Sequence, residues 1–299
     1  VIPAPTSEGR VAFRDGATWY RVTGVLGEGV TPLVVLHGGP GATHDYVSSL
    51  ADLAETGRAV VHYDQLGCGR STHFPERGAE FYDVELYLEE LENLLVHLGI
   101  EGRYHVLGQS WGGMLGAEHA IRRPAGLRSL VISNSPASME LWVSEAARLR
   151  EGLPTEVREV LDRHERDGTT DDPAYLAATQ VFYDRHVCRV VPNPPEVQAS
   201  FAMLDEDPTV YRTMNGPNEF FCIGTLRTWS VVDEVHRIEV PTLLASGRHD
   251  EATPATIQPF FDAIPDVRWA VFEDSSHMPF VEEPEEYRAV VRAFLAEHD

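Results

Sequence analysis

One stretch limits what this chain can fold into more than any other. The apolar run Tyr104-His105-Val106-Leu107 breaks into Gly108-Gln109-Ser110-Trp111-Gly112, and an amphipathic helical pattern starts at once. A strand-to-helix turn this tight is a nucleophile elbow: it holds its central residue in a strained conformation and needs small residues where the backbones cross, here Gly108 and Gly112. Ser110 is therefore the candidate nucleophile. The amide of Trp111, at a helix start with no partner inside the helix, is free to donate to an oxyanion. The same letters can form a plain glycine turn, so the reading rests on context: a strand before, a helix after, and acid and base candidates downstream in the order that goes with this elbow.

Around the elbow, strand and helix alternate. Residues 11–15 and 18–23 read as a hairpin about Asp15-Gly16, and Leu33-Val34-Val35-Leu36 is a continuous apolar run of the kind found in a parallel sheet. That run ends in His37-Gly38-Gly39-Pro40-Gly41, a glycine-rich loop able to turn a bare amide toward the nucleophile; Gly39 is preferred to Gly38 as this second oxyanion donor. A helix is predicted over 44–57, a strand over Ala59 to Tyr63, a helix from Asp83 to Leu98 closed by Gly99, and a buried strand at Ser129 to Ile132. The loop Asp64-Gln65-Leu66-Gly67-Cys68-Gly69-Arg70-Ser71 lacks the third glycine of a dinucleotide fingerprint, and Asp64 and Arg70 are expected to tie it together by charged hydrogen bonds. Alternation on this scale implies crossover connections and a mostly parallel central sheet flanked by helices.

The alternation stops after Ser133-Asn134-Ser135-Pro136. No strong strand pattern follows for nearly a hundred residues, only short helical patterns punctuated by prolines, one of which puts Tyr175, Leu176, Thr179, Phe182, Tyr183 and His186 on a face expected to pack inward. The expected organisation is a core formed by residues 1–136 and 233–299, with 137–232 as an inserted helical cap. Sheet strands return at Thr242 to Gly247 and Arg268 to Phe272, each followed by a polar cluster, Arg248-His249-Asp250-Glu251 and Ser275-Ser276-His277. Loops at the carboxyl ends of parallel strands share one edge, so Ser110, Asp250 and His277 can converge. His277 would act as the base and Asp250 as its orienting acid. Glu251 and, more weakly, Asp274 compete for the acid's role, and the strand-to-loop offset favours Asp250.

Composition excludes several classes of function. The net charge of −23, with no basic cluster to interrupt it, repels nucleic acid and anionic membrane surfaces, and no apolar run approaches the length needed to span a bilayer. Three separated cysteines suit a reducing compartment, and with no secretory signal visible the expected location is cytoplasmic. Thirteen histidines include neither HExxH nor a His/Cys ligand spacing, so no metal and no cofactor are implied.

With these residues in view, the chain resembles the proline iminopeptidases of the α/β-hydrolase fold, together with the tricorn-interacting aminopeptidases and L-amino acid amidases. The likeness rests on His37 to Gly41, Tyr63 to Ser71, Gly108 to Gly113, Gly247 to Glu251, and above all Met214-Asn215-Gly216-Pro217-Asn218-Glu219-Phe220. It implies a helical cap over the triad, and a substrate α-amine held by Glu219 and Glu251. Fixed carboxylates measure the distance from an ammonium to the scissile carbonyl, as an exopeptidase requires. The expected enzyme releases N-terminal proline or a small apolar residue from short peptides, or hydrolyses amino acid amides. An esterase or lactonase acting on uncharged acyl groups is the alternative, and a ligand-binding receptor that kept the fold is the rival outside catalysis. The sequence gives no reading of oligomeric state.

Overall fold

The computed structural model describes residues 2–27 and 29–299. β1 (Ser7–Phe13) and β2 (Gly16–Thr23) form an antiparallel hairpin in register from Ser7 opposite Val22 to Phe13 opposite Gly16. β3 (Leu33–Leu36), β4 (Val60–Asp64), β5 (Tyr104–Gln109), β6 (Leu127–Ser133), β7 (Thr242–Gly247) and β8 (Val267–Phe272) run parallel, with β2 antiparallel on β4. The order across the sheet is β1-β2-β4-β3-β5-β6-β7-β8. β3, β4, β5 and β7 are buried along their whole length, which is why they appear as unbroken apolar runs and not as alternating ones.

Local chemistry sets the helix ends. α1 (Val84–Leu98) starts where Asp83 accepts a hydrogen bond from the amide of Leu86 at 2.8 Å, and stops at Gly99, whose left-handed φ of 66° returns its N–H to the last turn. α2 (Trp111–Ile121) leaves the elbow directly. The segment predicted as a helix over 44–57 winds as a 3-10 helix, His44–Thr56. Among its buried residues, His44, Val47, Leu50 and Leu53 recur every third position, the repeat of a three-residue turn, with Tyr46, Ser48 and Ala51 buried beside them.

Between β6 and β7 come α3 (Met139–Glu151), α4 (Thr155–Asp167), α5 (Pro173–His186), α6 (Pro195–Glu206) and α7 (Thr209–Met214). The two ends of this helical segment meet at a bridge between Ser138 and Ser230. It has its own apolar cluster, in which Leu161 and Phe182 are fully buried; truncating such a side chain to Ala costs roughly 2 to 5 kcal/mol. Leu176, expected on the inward face of α5, is 55% exposed. It sits one position past Tyr175, and one helical step of 100° takes it off the buried stripe.

α8 (Pro254–Ala263), α9 (Pro279–Glu282) and α10 (Pro284–Glu297) complete the chain, and α10 buries Tyr287, Val291, Phe294 and Leu295. Among the described residues, no helix is long and apolar enough to cross a membrane.

Candidate active site

The loops beyond β3, β5, β6, β7 and β8 share one edge of the sheet, and the site is built there. Ser110 stands at φ 56° and ψ −124°, a conformation an L-residue adopts at a cost of about 1 to 3 kcal/mol. Its neighbours leave no room for anything larger than glycine. A Cβ on Gly108 would lie 2.0 Å from the carbonyl oxygen of Gly112, and one on Gly112 would lie 2.1 Å from that of Leu36. The Ser135 hydroxyl donates to the Ser110 carbonyl at 2.7 Å and fixes the turn from the far side.

His277 Nδ1 donates to Asp250 Oδ1 at 2.7 Å. Asp250 is held in turn: Oδ1 accepts the amide of Ala252 at 2.8 Å, and Oδ2 accepts Asn134 Nδ2 at 2.6 Å. Both competing carboxylates fall elsewhere. Asp274 is exposed, and its backbone, not its carboxylate, is what Glu283 and Arg189 engage. Glu251 lies on the opposite side of the imidazole, with Oε1 3.8 Å from Nε2. Burial disfavours the imidazolium, but the charge and hydrogen bond of Asp250, with Glu219 and Glu282 behind it, outweigh that and raise His277 above its usual value.

Ser110, His277 and Gly39 line one cavity together with Glu219. Gly39, Trp111 and Ser110 meet again, with Glu219, in a smaller apolar pocket walled by Met139 and Trp142. Gly39 has φ 112°, and a Cβ there would come within 2.5 Å of the Gly41 nitrogen. The amide of Gly38 is already engaged, donating to the Tyr46 hydroxyl at 2.6 Å. The Trp111 indole points into the core and donates to Gln65 Oε1 at 2.8 Å, while its backbone nitrogen remains at the helix start.

Glu219 comes from the helical segment. Its Oε1 accepts the Tyr211 hydroxyl at 2.5 Å, its carbonyl accepts Trp142 Nε1 at 2.6 Å, and its amide faces the Tyr183 hydroxyl at 3.3 Å. Glu251 is 1% exposed, and neither carboxylate oxygen has a partner. Burial raises both carboxyls above the ordinary glutamate range. Glu251 is pushed further by the charges of Glu219 and Asp250, while the Tyr211 bond and His277 restrain Glu219. All seven residues singled out in the sequence thus meet at this edge. Asn134, Tyr46, Trp142 and Tyr211 were not anticipated; of these, Asn134 alone carried a signal, a polar residue directly beyond a buried strand.

Among the described residues, one group with metal-ligand character lies outside the site: His44, Asp45 and Asp64. A guanidinium already serves as its cation. Arg70 Nη1 is 2.9 Å from Asp45 Oδ2 and 3.5 Å from Asp64 Oδ2, and the Arg70 amide donates to Asp64 at 2.9 Å. The expected Asp64–Arg70 tie is therefore mainly through the backbone, with Asp45 taking the charge.

Residues 31–284 match the family described as alpha/beta hydrolase fold. The parallel sheet, the strained serine and the carboxylate-bound histidine agree with it, and the chain belongs to that family. Within it, the chain is 38% identical over 294 residues to a proline iminopeptidase of Lactobacillus helveticus, covering 98% of each. The crystal structure of the proline iminopeptidase of Mycobacterium smegmatis superposes with a TM-score of 0.90 at 55% identity over 98% of both chains. That of VinJ does so with a TM-score of 0.98 at 56% identity, over 99% of this chain and all of the other. Esterase and lactonase structures align at 20 to 24% identity, a level that carries the fold alone. The protein is a serine aminopeptidase of the proline iminopeptidase type, and the esterase or lactonase alternative is not favoured.

Proposed function

We propose that the enzyme releases an N-terminal proline or small apolar residue from short peptides, or the corresponding residue from amino acid amides, through an acyl-enzyme on Ser110. Ser110 Oγ attacks the scissile carbonyl while His277 Nε2 takes its proton, and the oxyanion is received by the amides of Gly39 and Trp111. Collapse of the tetrahedral intermediate breaks the C–N bond, and His277 returns the proton to the departing amine. Water then attacks the ester with His277 as base, freeing the amino acid and restoring Ser110. Asp250 holds the tautomer that presents Nε2 to the serine.

One observation carries the exopeptidase reading: the buried Glu251, with no partner for either oxygen, next to Glu219 and on the side of His277 that faces substrate. An α-ammonium is the ligand that such a pair lacks, and its distance from the carbonyl limits cleavage to the first residue. Residues 137–232 serve as the cap, supplying Glu219 and the Met139–Trp142 wall of the pocket that would take the side chain. Three unpaired cysteines support a reducing, cytoplasmic setting. The test is a panel of aminoacyl anilides and amides, each free and N-acetylated. The reading expects strong selectivity for the free amine, and equal rates on both forms would overturn it.

A further inference from the structure

Gln109 fills a position that the elbow motif leaves open. Its side chain is 1% exposed, lines the cavity beside Ser110, and donates from Nε2 to the backbone carbonyl of His277 at 2.9 Å. That bond fixes the direction of everything behind it. A carbonyl oxygen can only accept, so the nitrogen of the amide must face His277 and Oε1 must face the other way. There it meets the Tyr46 hydroxyl, which must donate because Oε1 can only accept. The phenol oxygen then accepts the amide of Gly38 at 2.6 Å. Burial pushes the Tyr46 phenol far above its usual value, so it keeps the proton that it donates.

We propose that Tyr46 and Gln109 are positioning residues that hold the oxyanion loop, the nucleophile and the base loop in mutual register through one unidirectional chain of hydrogen bonds. The chain starts at Gly38, passes through the residue immediately before Ser110, and ends on the backbone of His277, so it joins three loops that come from β3, β5 and β8. It also explains the choice of oxyanion donor: with Gly38 turned toward Tyr46, the next amide, that of Gly39, is left for substrate. The fit allows little slack, since a Cβ on Gly38 would stand 2.6 Å from the Tyr46 oxygen and 3.0 Å from both Gln109 Oε1 and Ser110 Cβ. The Tyr46 ring packs near Phe280 at a centroid distance of 6.0 Å, so exchanging the hydroxyl for hydrogen keeps the packing and removes the bond.

This inference rests on Ser110 being the nucleophile, and the experiment separates the two. Tyr46→Phe, Gln109→Met, the double variant and Ser110→Ala are assayed on a free aminoacyl anilide and on p-nitrophenyl acetate, with competent sites counted by a serine-reactive phosphonate. A reacting geometry loosened by a fraction of an ångström predicts kcat lower by roughly 10- to 100-fold on both substrates, with KM changed by less than about threefold. Affinity for an aldehyde transition-state analogue should fall in step with kcat, a change that lost packing would not give. The double variant should lose no more than the worse single one, because either change breaks the same chain. Unchanged kcat per site in Tyr46→Phe, or a loss confined to KM, would overturn the proposal; if Tyr46→Phe fails to fold, Gln109→Met decides by the same measures. Retained activity in Ser110→Ala would instead remove the serine mechanism itself.

Discussion

Glu251 Oε1 lies 3.8 Å from Nε2 of His277, across the ring from Asp250, which holds Nδ1 at 2.7 Å. The imidazole is thus flanked by a carboxyl group at each nitrogen. The two differ in their surroundings. Asp250 has three hydrogen-bond donors, whereas Glu251 is buried with none. A fully partnered carboxylate is suited to orient the base, and an unpartnered one to await a cation.

Glu251→Gln and Glu219→Gln should each lower kcat/KM on free-amine substrates by about 10²- to 10³-fold, the effect expected when a buried charge loses its counter-charge. Hydrolysis of p-nitrophenyl acetate, which has no ammonium, should change far less. Steady-state kinetics on the two substrates check this, and a parallel loss on both would assign the glutamates to chemistry and not to recognition.

Asp250→Asn should reduce kcat by something on the order of 10⁴, because the amide favours the wrong imidazole tautomer, whereas Asp274→Asn should be close to neutral. Asn134→Ala removes one of the bonds that fix Asp250 and should cost roughly tenfold in kcat with KM little altered. Measuring all three variants on one substrate ranks them, and a harmless Asp250→Asn would displace this residue as the acid.

The pH dependence follows from the charges around His277. Asp250, Glu219 and Glu282 hold it above the usual 6.5 in spite of burial, so ester hydrolysis, which needs the neutral ring, should fall as pH drops through that raised value. Glu219→Gln removes one of these negative neighbours and should move the acid limb to lower pH. A pH–kcat/KM profile of both forms on p-nitrophenyl acetate tests the shift, and an upward move would contradict it.

Stability should respond in the opposite sense to activity. The folded-state values of Glu219 and Glu251 lie above that of an exposed glutamate, near 4.3. Relative to the unfolded chain, the native state therefore loses ground as pH rises above about 4.3 toward those raised values, and the loss is absent below it. Glu251→Gln removes the group responsible. Its melting temperature should exceed that of the parent by roughly 2 to 6 °C at pH 8 and by little at pH 4, as calorimetry at the two values would show.

Much of this was legible because steric rules leave traces in the residue order. The elbow can be read since backbones crossing at 2.0 to 2.1 Å from a virtual Cβ demand glycine at Gly108 and Gly112 whatever the rest of the chain does. Asp250 and His277 were legible as members of polar clusters at strand ends, Asp250 after the buried β7 and His277 after β8. What could not be read were bonds between distant segments. Asn134 meets Asp250 across 116 residues, and Trp142 meets Glu219 across 77, and neither pair has a periodicity or spacing to betray it. At His44–Thr56 the helical pattern is legible but the tighter 3-10 winding is not, and at Leu176 a single step around α5 decides burial.

Asp250 and Glu251 are neighbours in a single turn between β7 and α8, so under the proposed function the gauge for substrate length and the support that aims the base share one peptide bond. A one-residue insertion or deletion in that turn would reset both at once. A descendant of this chain that came to accept a longer reach, from a β-amino acid or a dipeptidyl unit, could not lengthen the gauge here without spoiling the aim. It would have to move the other jaw, Glu219, which comes from the separate segment between β6 and β7.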